Sequence, residues 1–151
     1  IAVGCRLRRS LRAPRSLPTA TAIFSSDADG AMVQAFADKT CGKSMVGTRV
    51  AYFFREHFDP RSGAAREVVA GRDFVFTFRS RSDTGTVATF CKVTRSFVPE
   101  ASQTYRAHFI SAPDRCDVEV TRSSSHASDS KEGAAVDVAI VDPVCFNDLN
   151  G

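Results

Sequence analysis

Phe74-Val75-Phe76-Thr77-Phe78 alternates phenylalanine with Val and Thr at period two. In an extended chain successive side chains leave opposite faces, so Phe74, Phe76 and Phe78 fall on one side. Three phenylalanines in register read as a core-facing stripe rather than the wall of a ligand groove. The stretch is therefore a strand. With 12 Phe, two Tyr and no Trp in 151 residues, Phe supplies most of the large core volume.

The same period continues on both sides. Downstream, Asp83-Thr84-Gly85 is a turn, and Val87, Thr89, Cys91, Val93 and Phe97 then share a face. Tyr105, Ala107 and Phe109 share a face of the next strand. Cys116, Val118 and Val120 share one after the Pro113-Asp114 turn. Upstream, Ala20–Ser26 and Met32–Ala37 flank Asp27-Ala28-Asp29-Gly30, an Asp/Gly signal for a hairpin. Met32–Lys39 also fits one short helix. Met45–Phe54 is a longer β-prone run, Glu56 to Ala65 reads as an irregular loop, and Glu67–Ala70 as a short edge strand ending at Gly71. Ser123 to Gly133 is a polar loop, and Val136–Val141 is the last strand. Seven or eight short strands without a long helix predict an all-β domain. The expected architecture is a disulfide-stabilised antiparallel β-sandwich, immunoglobulin-like or transthyretin-like, over residues 19–151.

Cysteine usage divides the chain. Cys41, Cys91, Cys116 and Cys145 lie in the strand-rich body, and Cys5 stands apart. An even set in a folded body predicts two disulfides and an oxidising compartment. Four cysteines allow three connectivities. If the first strands pair with the middle one, Cys41–Cys91 and Cys116–Cys145 follow, the second fastening the C-terminal tail. No pair has the Cys-x-x-Cys spacing of structural zinc, and neither a metal nor another cofactor is expected.

Charge divides it in the same way. Residues 1–15 hold five of the 20 basic residues and no acid, leaving 15 bases against 17 acids elsewhere. The body lacks the basic excess of a nucleic-acid-binding domain. Residues 1–18 read as a leader remnant and a flexible basic arm. Ala2-Val3-Gly4-Cys5 resembles the lipobox of bacterial lipoproteins, although Ala2 stands where Leu, Val or Ile is usual. The resemblance implies lipid attachment at Cys5, with the arginines beyond it meeting anionic headgroups. A chain beginning at Ile1 is expected to have lost an upstream signal region.

Phe97-Val98-Pro99-Glu100-Ala101-Ser102-Gln103-Thr104-Tyr105, followed by Cys116-Asp117-Val118-Glu119-Val120, resembles the C-terminal half of small Gram-negative envelope proteins, many of them predicted lipoproteins. Those read Phe-x-Pro-x-x-Gly-x-x-Tyr before a cysteine that opens the next strand. Ala70-Gly71-Arg72-Asp73-Phe74 is similar to the start of their strand. The likeness covers roughly residues 68–122, with Ser102 in the place of the usual Gly. It implies a β-sandwich and an envelope location, periplasmic or outer-membrane, and carries no activity with it. In the residues themselves, Pro99 stops a ladder, and Tyr105 can bury its ring while its hydroxyl reaches backbone.

Catalytic signals are sparse. His57 neighbours Glu56 and Asp59, the one local acid–base grouping, from which a hydrolase could be built. His126 follows Ser125 and precedes Asp129 in a polar loop, and His108 falls opposite Tyr105 and Phe109, the exposed face of its strand. No phosphate loop, dinucleotide fingerprint or nucleophile elbow is present. The expectation is a non-catalytic envelope module, or a secreted one, that binds an envelope protein or other component and no nucleic acid. Arg55, Glu56, His57, Asp59 and Arg61 in one loop, and Ser125 and His126 in another, are the expected contact residues. An inhibitor or immunity protein that blocks a partner enzyme is the alternative.

Overall fold

A computed structural model of the chain describes residues 16–28, 30–36, 38–41, 48–53, 63–83, 85–112, 114–123, 133–142 and 145. Its strands are β1 (Thr19–Ser26), β2 (Ala31–Phe36), β3 (Thr48–Phe53), β4 (Ala64–Val69), β5 (Phe74–Asp83), β6 (Ala88–Phe97), β7 (Thr104–Ser111), β8 (Cys116–Ser123), β9 (Ala134–Ala135) and β10 (Ala139–Ile140). They form two five-stranded sheets, ordered β4-β1-β7-β8-β9 and β10-β6-β5-β2-β3. No helix occurs among the described residues. The sheets pack face to face as the expected sandwich, and β4 is an edge strand as read, longer by three residues at its start.

Phenylalanine fills the space between the sheets. Phe24 of β1, Phe76 and Phe78 of β5 and Phe109 of β7 are completely buried. Phe78 and Phe109 stack across the sandwich with ring centroids 5.2 Å apart, and Phe24 meets Phe76 edge-on at 5.8 Å. Each such ring contributes about 2 kcal/mol through burial.

The Asp27–Gly30 turn is not the hairpin its composition suggests. β1 lies in one sheet and β2 in the other, so the turn carries the chain across the core. Both strands present apolar side chains to one interior, Ala20, Ala22 and Phe24 from above and Ala31 and Val33 from below. A hairpin within one sheet would not set them face to face. Asp27 N–H donates to the Phe109 carbonyl at 3.1 Å, and Gly30 supplies a φ of +73°. Crossing over leaves β1 free to pair with β7 in parallel, in a sandwich whose other neighbours are antiparallel.

The last strand is likewise divided. Residues 134–135 pair with β8 and 139–140 with β6, so this segment passes from sheet to sheet along the side of the sandwich. Val136 and Val138 pack against the core between those two short pairings.

From Val75 to Phe78, β5 is buried on both faces. Its outward Val75 joins Phe36, Val141 and Cys145 in a second apolar cluster beneath the C-terminal tail. Thr77 lies beside it and forms a closed polar ring. Cys145 N–H donates to Thr94 Oγ1 at 3.0 Å, and Thr77 Oγ1 donates to the Cys145 carbonyl at 2.5 Å. The two threonine oxygens are 2.7 Å apart, which assigns the remaining proton to a bond from Thr94 to Thr77.

The turn after β6 behaves as its residues suggest. Tyr105 is buried, and its hydroxyl accepts the Glu100 N–H at 2.9 Å. Ser102 holds φ at +64°, the left-handed conformation in which glycine is ordinary. A serine here makes a glycine-type turn.

Two disulfides are present, but the pairing differs from the expected one: Cys41 bonds Cys145 and Cys91 bonds Cys116. Strand register explains it. Phe36, just before Cys41, aligns with Val75, whereas Cys91 aligns with Ser80, five residues further along β5. That offset is about 17 Å along the strand, beyond the reach of a disulfide. Cys91 instead faces β8 across the sandwich, with Cα atoms of Cys91 and Cys116 6.2 Å apart. Cys145 crosses the outer surface of the β6–β5–β2 sheet and meets Cys41 beyond β2, Cα to Cα 5.3 Å. Two such bridges belong to an oxidising compartment, outside a reducing cytosol. No helix among the described residues is long and apolar enough to cross a membrane.

Candidate functional site

All the contact residues expected from sequence, Arg55, Glu56, His57, Asp59, Arg61, Ser125 and His126, lie outside the described residues, as does Cys5, the expected point of lipid attachment. Cys41, Cys91, Cys116 and Cys145 are the disulfide cysteines. Among the described residues, no group of His, Cys, Asp and Glu gathers as a metal site. Two other places carry chemistry that the sequence did not reveal.

The first is a Ser–His–Asp trio. Parallel pairing sets Ser25 of β1 directly beside His108 of β7, on the outer face of their sheet. Ser25 Oγ lies 2.7 Å from His108 Nδ1, and His108 Nε2 lies 2.9 Å from Asp27 Oδ1. The ring therefore bridges the serine hydroxyl at one nitrogen and the carboxylate at the other. The arrangement is inverted relative to a nucleophilic triad. Ser25 is 1% exposed and the acid stands in solvent, whereas a triad opens its serine to substrate and buries its acid. The trio fastens β1, β7 and the crossing turn to one another. His108 read as a plain exposed position because Ser25 is 83 residues away.

The second is the far half of the β5–β6 hairpin. β2 accompanies β5 only to Arg79, and β10 meets β6 only at Arg95 and Ser96. Beyond those points the two strands pair with each other alone among the described strands, from Ser80 opposite Cys91 to Asp83 opposite Ala88. Residues 81–83 and 85–90 are exposed on both faces. This half overhangs the sandwich. Gly85 N–H donates to Asp83 Oδ1 at 3.1 Å and closes its turn.

The overhang presents an aromatic ring to solvent. Phe90 is 49% exposed, with the guanidinium carbons of Arg79 and Arg81 at 5.4 and 5.7 Å from its ring centroid. Arg81 also bonds Asp83 at 3.1 Å. Stacking on the ring holds both cations in place. Towards β8, a recess of about 550 Å³ with a mixed lining separates the hairpin from the turn at 111–115, bordered by Ser80, Ser82, Thr89 and Cys91 on one side and Ser111 and Arg115 on the other. The Cys91–Cys116 bridge ties the hairpin's base to β8, and the ion pair from Arg95 to Asp117, 2.9 Å, lies beside it. The Asp117 carboxyl is held below its ordinary value, first by the Val118 N–H and, against the opposing effect of burial, by Arg95 and Arg115. A covalent staple, an ion pair and the strand ladder together fix the overhang before any partner arrives.

Alternation from Phe74 to Phe97 places these residues on a hairpin. It does not reveal that the hairpin outruns its sheet, because that depends on where β2 and β10 stop. Compared with known proteins, the chain matches no family model, no curated protein and no solved structure.

Proposed function

We propose that this protein is a non-catalytic binding module of the bacterial cell envelope, anchored by lipid at Cys5, that docks onto an acidic surface of another envelope protein. One observation carries the reading: the stapled, overhanging β5–β6 hairpin with Phe90 exposed between Arg79 and Arg81. Exposed aromatic and arginine side chains on a rigid support are the usual anchors of protein interfaces. The two disulfides support a place outside the cytosol, and the lipobox-like Ala2–Cys5 favours the envelope over free secretion.

A photo-crosslinking residue at Phe90, expressed in cells with an intact envelope, should give one discrete protein adduct. That adduct should disappear when Arg81→Glu is added. A ladder of unrelated adducts, or one indifferent to Arg81, would reject the docking surface. Radiolabelled fatty acid should enter the wild-type chain and not Cys5→Ala; absence of label removes the anchor without touching the hairpin. The overhang also favours a second reading, an inhibitor that inserts the hairpin into a partner enzyme. An adduct with an enzyme whose activity the purified protein abolishes decides for it.

A further inference from the structure

On the side of the sandwich away from β9 and β10, edge strands β4 and β3 leave a lateral cleft of about 350 Å³. Its apolar lining comes from Phe36, Val50, Val68 and Phe74, and Arg66 and Arg72 stand on its rim. We infer that this cleft binds a small amphipathic anion, a carboxylate with a medium-length aliphatic tail. The tail occupies the apolar lining and the carboxylate meets Arg66 and Arg72.

The placement of Arg66 is informative. Register sets Arg66 opposite Ala22 and Val68 opposite Ala20, both of them buried core residues of β1. Arg66 therefore leaves β4 on the core-facing side and reaches solvent at the open edge, beside the apolar lining rather than on the outer face of the sheet. Its Nη1 donates to the Ala65 carbonyl at 2.8 Å, and neither Arg66 nor Arg72 meets a carboxylate among the described residues. Two rim acids have other orientations or partners: Asp73 pairs with Lys39 at 3.8 Å, and Glu67 leaves the opposite face of β4, beside Thr21. Two cations above an apolar floor are complementary to an amphipathic anion. The volume is at the small end of ligand sites, which limits the tail to medium length.

A second copy of the chain is a poor occupant. Antiparallel edge pairing sets residues of the same face opposite each other, so the two central registers of a β4–β4 pair would align Arg66 with Arg66 or Glu67 with Glu67. A small anion meets no such repulsion.

Titration calorimetry with decanoate, below its aggregation concentration, tests the site. One saturable site is expected, and Arg66→Gln with Arg72→Gln should weaken it at least tenfold. Acetate and the neutral ten-carbon alcohol should each bind at least tenfold more weakly than decanoate. Arg81→Glu on the distant hairpin should leave the affinity unchanged, which separates this site from the docking surface. The circular dichroism of the double variant must match wild type, as expected for two exposed side chains. Affinity indifferent to both arginines, or acetate bound as tightly as decanoate, would overturn the inference.

Discussion

Ser96 carries its hydroxyl into a place where no described residue receives it. The residue is 1% exposed, opposite Val75 and Ala139, and its Oγ has no hydrogen-bond partner among the described residues. A buried unpaired hydroxyl costs about 1–3 kcal/mol. Ser96→Ala should therefore raise the stability of the protein by about 1 kcal/mol in urea denaturation; a loss of stability would show that the hydroxyl is satisfied. Asp117 gives a prediction of the opposite kind. Its folded carboxyl is held below the ordinary value of 3.8 by the Val118 N–H and Arg95. A depressed acid stabilises the fold above its unfolded value and loses that contribution as pH falls through the folded one. Unfolding free energy should thus decline below about pH 4, with the Asp117 share absent in Asp117→Asn. Asp117 is 52% exposed, so this share is about 0.5 kcal/mol or less. At this scale some roles were legible in sequence. Tyr105 follows Pro99 at a spacing that lets its hydroxyl return to the turn, a local relation. The His108 contact with Ser25 was not legible, because it depends on a parallel pairing between strands distant in the chain.

Among the elements, strands announce themselves through alternation, but their ends do not. Phe74–Phe78 is recognisable because burial selects its side chains. From Arg81 to Asp83 the same strand continues with no buried face to select anything, held by its ladder to β6. Edge behaviour is similarly obscure: the valines at 136, 138 and 141 read as one strand, yet the backbone pairs with β8 first and β6 afterwards. The overhanging hairpin depends on its staple. Removing the bridge with Cys91→Ser and Cys116→Ser reopens a loop with a sequence separation of 25, a loss of about 3.5 kcal/mol on chain entropy. Native-state hydrogen exchange should show the amides of residues 80–91 exchanging faster in this variant. Those of Phe74–Phe78 should remain slow, because both faces of that stretch are covered. Equal acceleration in both halves would mean that the bridge supports the whole sheet rather than the overhang.

In the whole molecule, the two bridges divide their work. Cys91–Cys116 joins the sheets at one end of the sandwich, and Cys41–Cys145 binds the tail across the outer face at the other. Sequence shows four cysteines in the strand-rich body, and with them an oxidising compartment. Their pairing is a property of strand register and sheet order, neither of which a single chain displays. The tail bridge spans a sequence separation of 104, so its removal should cost more, about 4.7 kcal/mol on the same entropy model. The Thr77, Thr94 and Cys145 ring holds the same segment by other means. Thr77→Val removes two of its three bonds and leaves the Cys145 carbonyl buried without its donor, a cost of about 1–3 kcal/mol. Because bridge and ring restrain one tail, their losses should not add. Once Cys41→Ser and Cys145→Ser release the tail, Thr77→Val has less left to disrupt, and a double-mutant cycle should show a coupling of about 1 kcal/mol. Urea denaturation of the four proteins measures it. Strict additivity would mean that the ring supports the sheet independently of the tail. A smaller loss from the tail bridge than from Cys91–Cys116 would show that strain or denatured-state structure outweighs loop length in this protein.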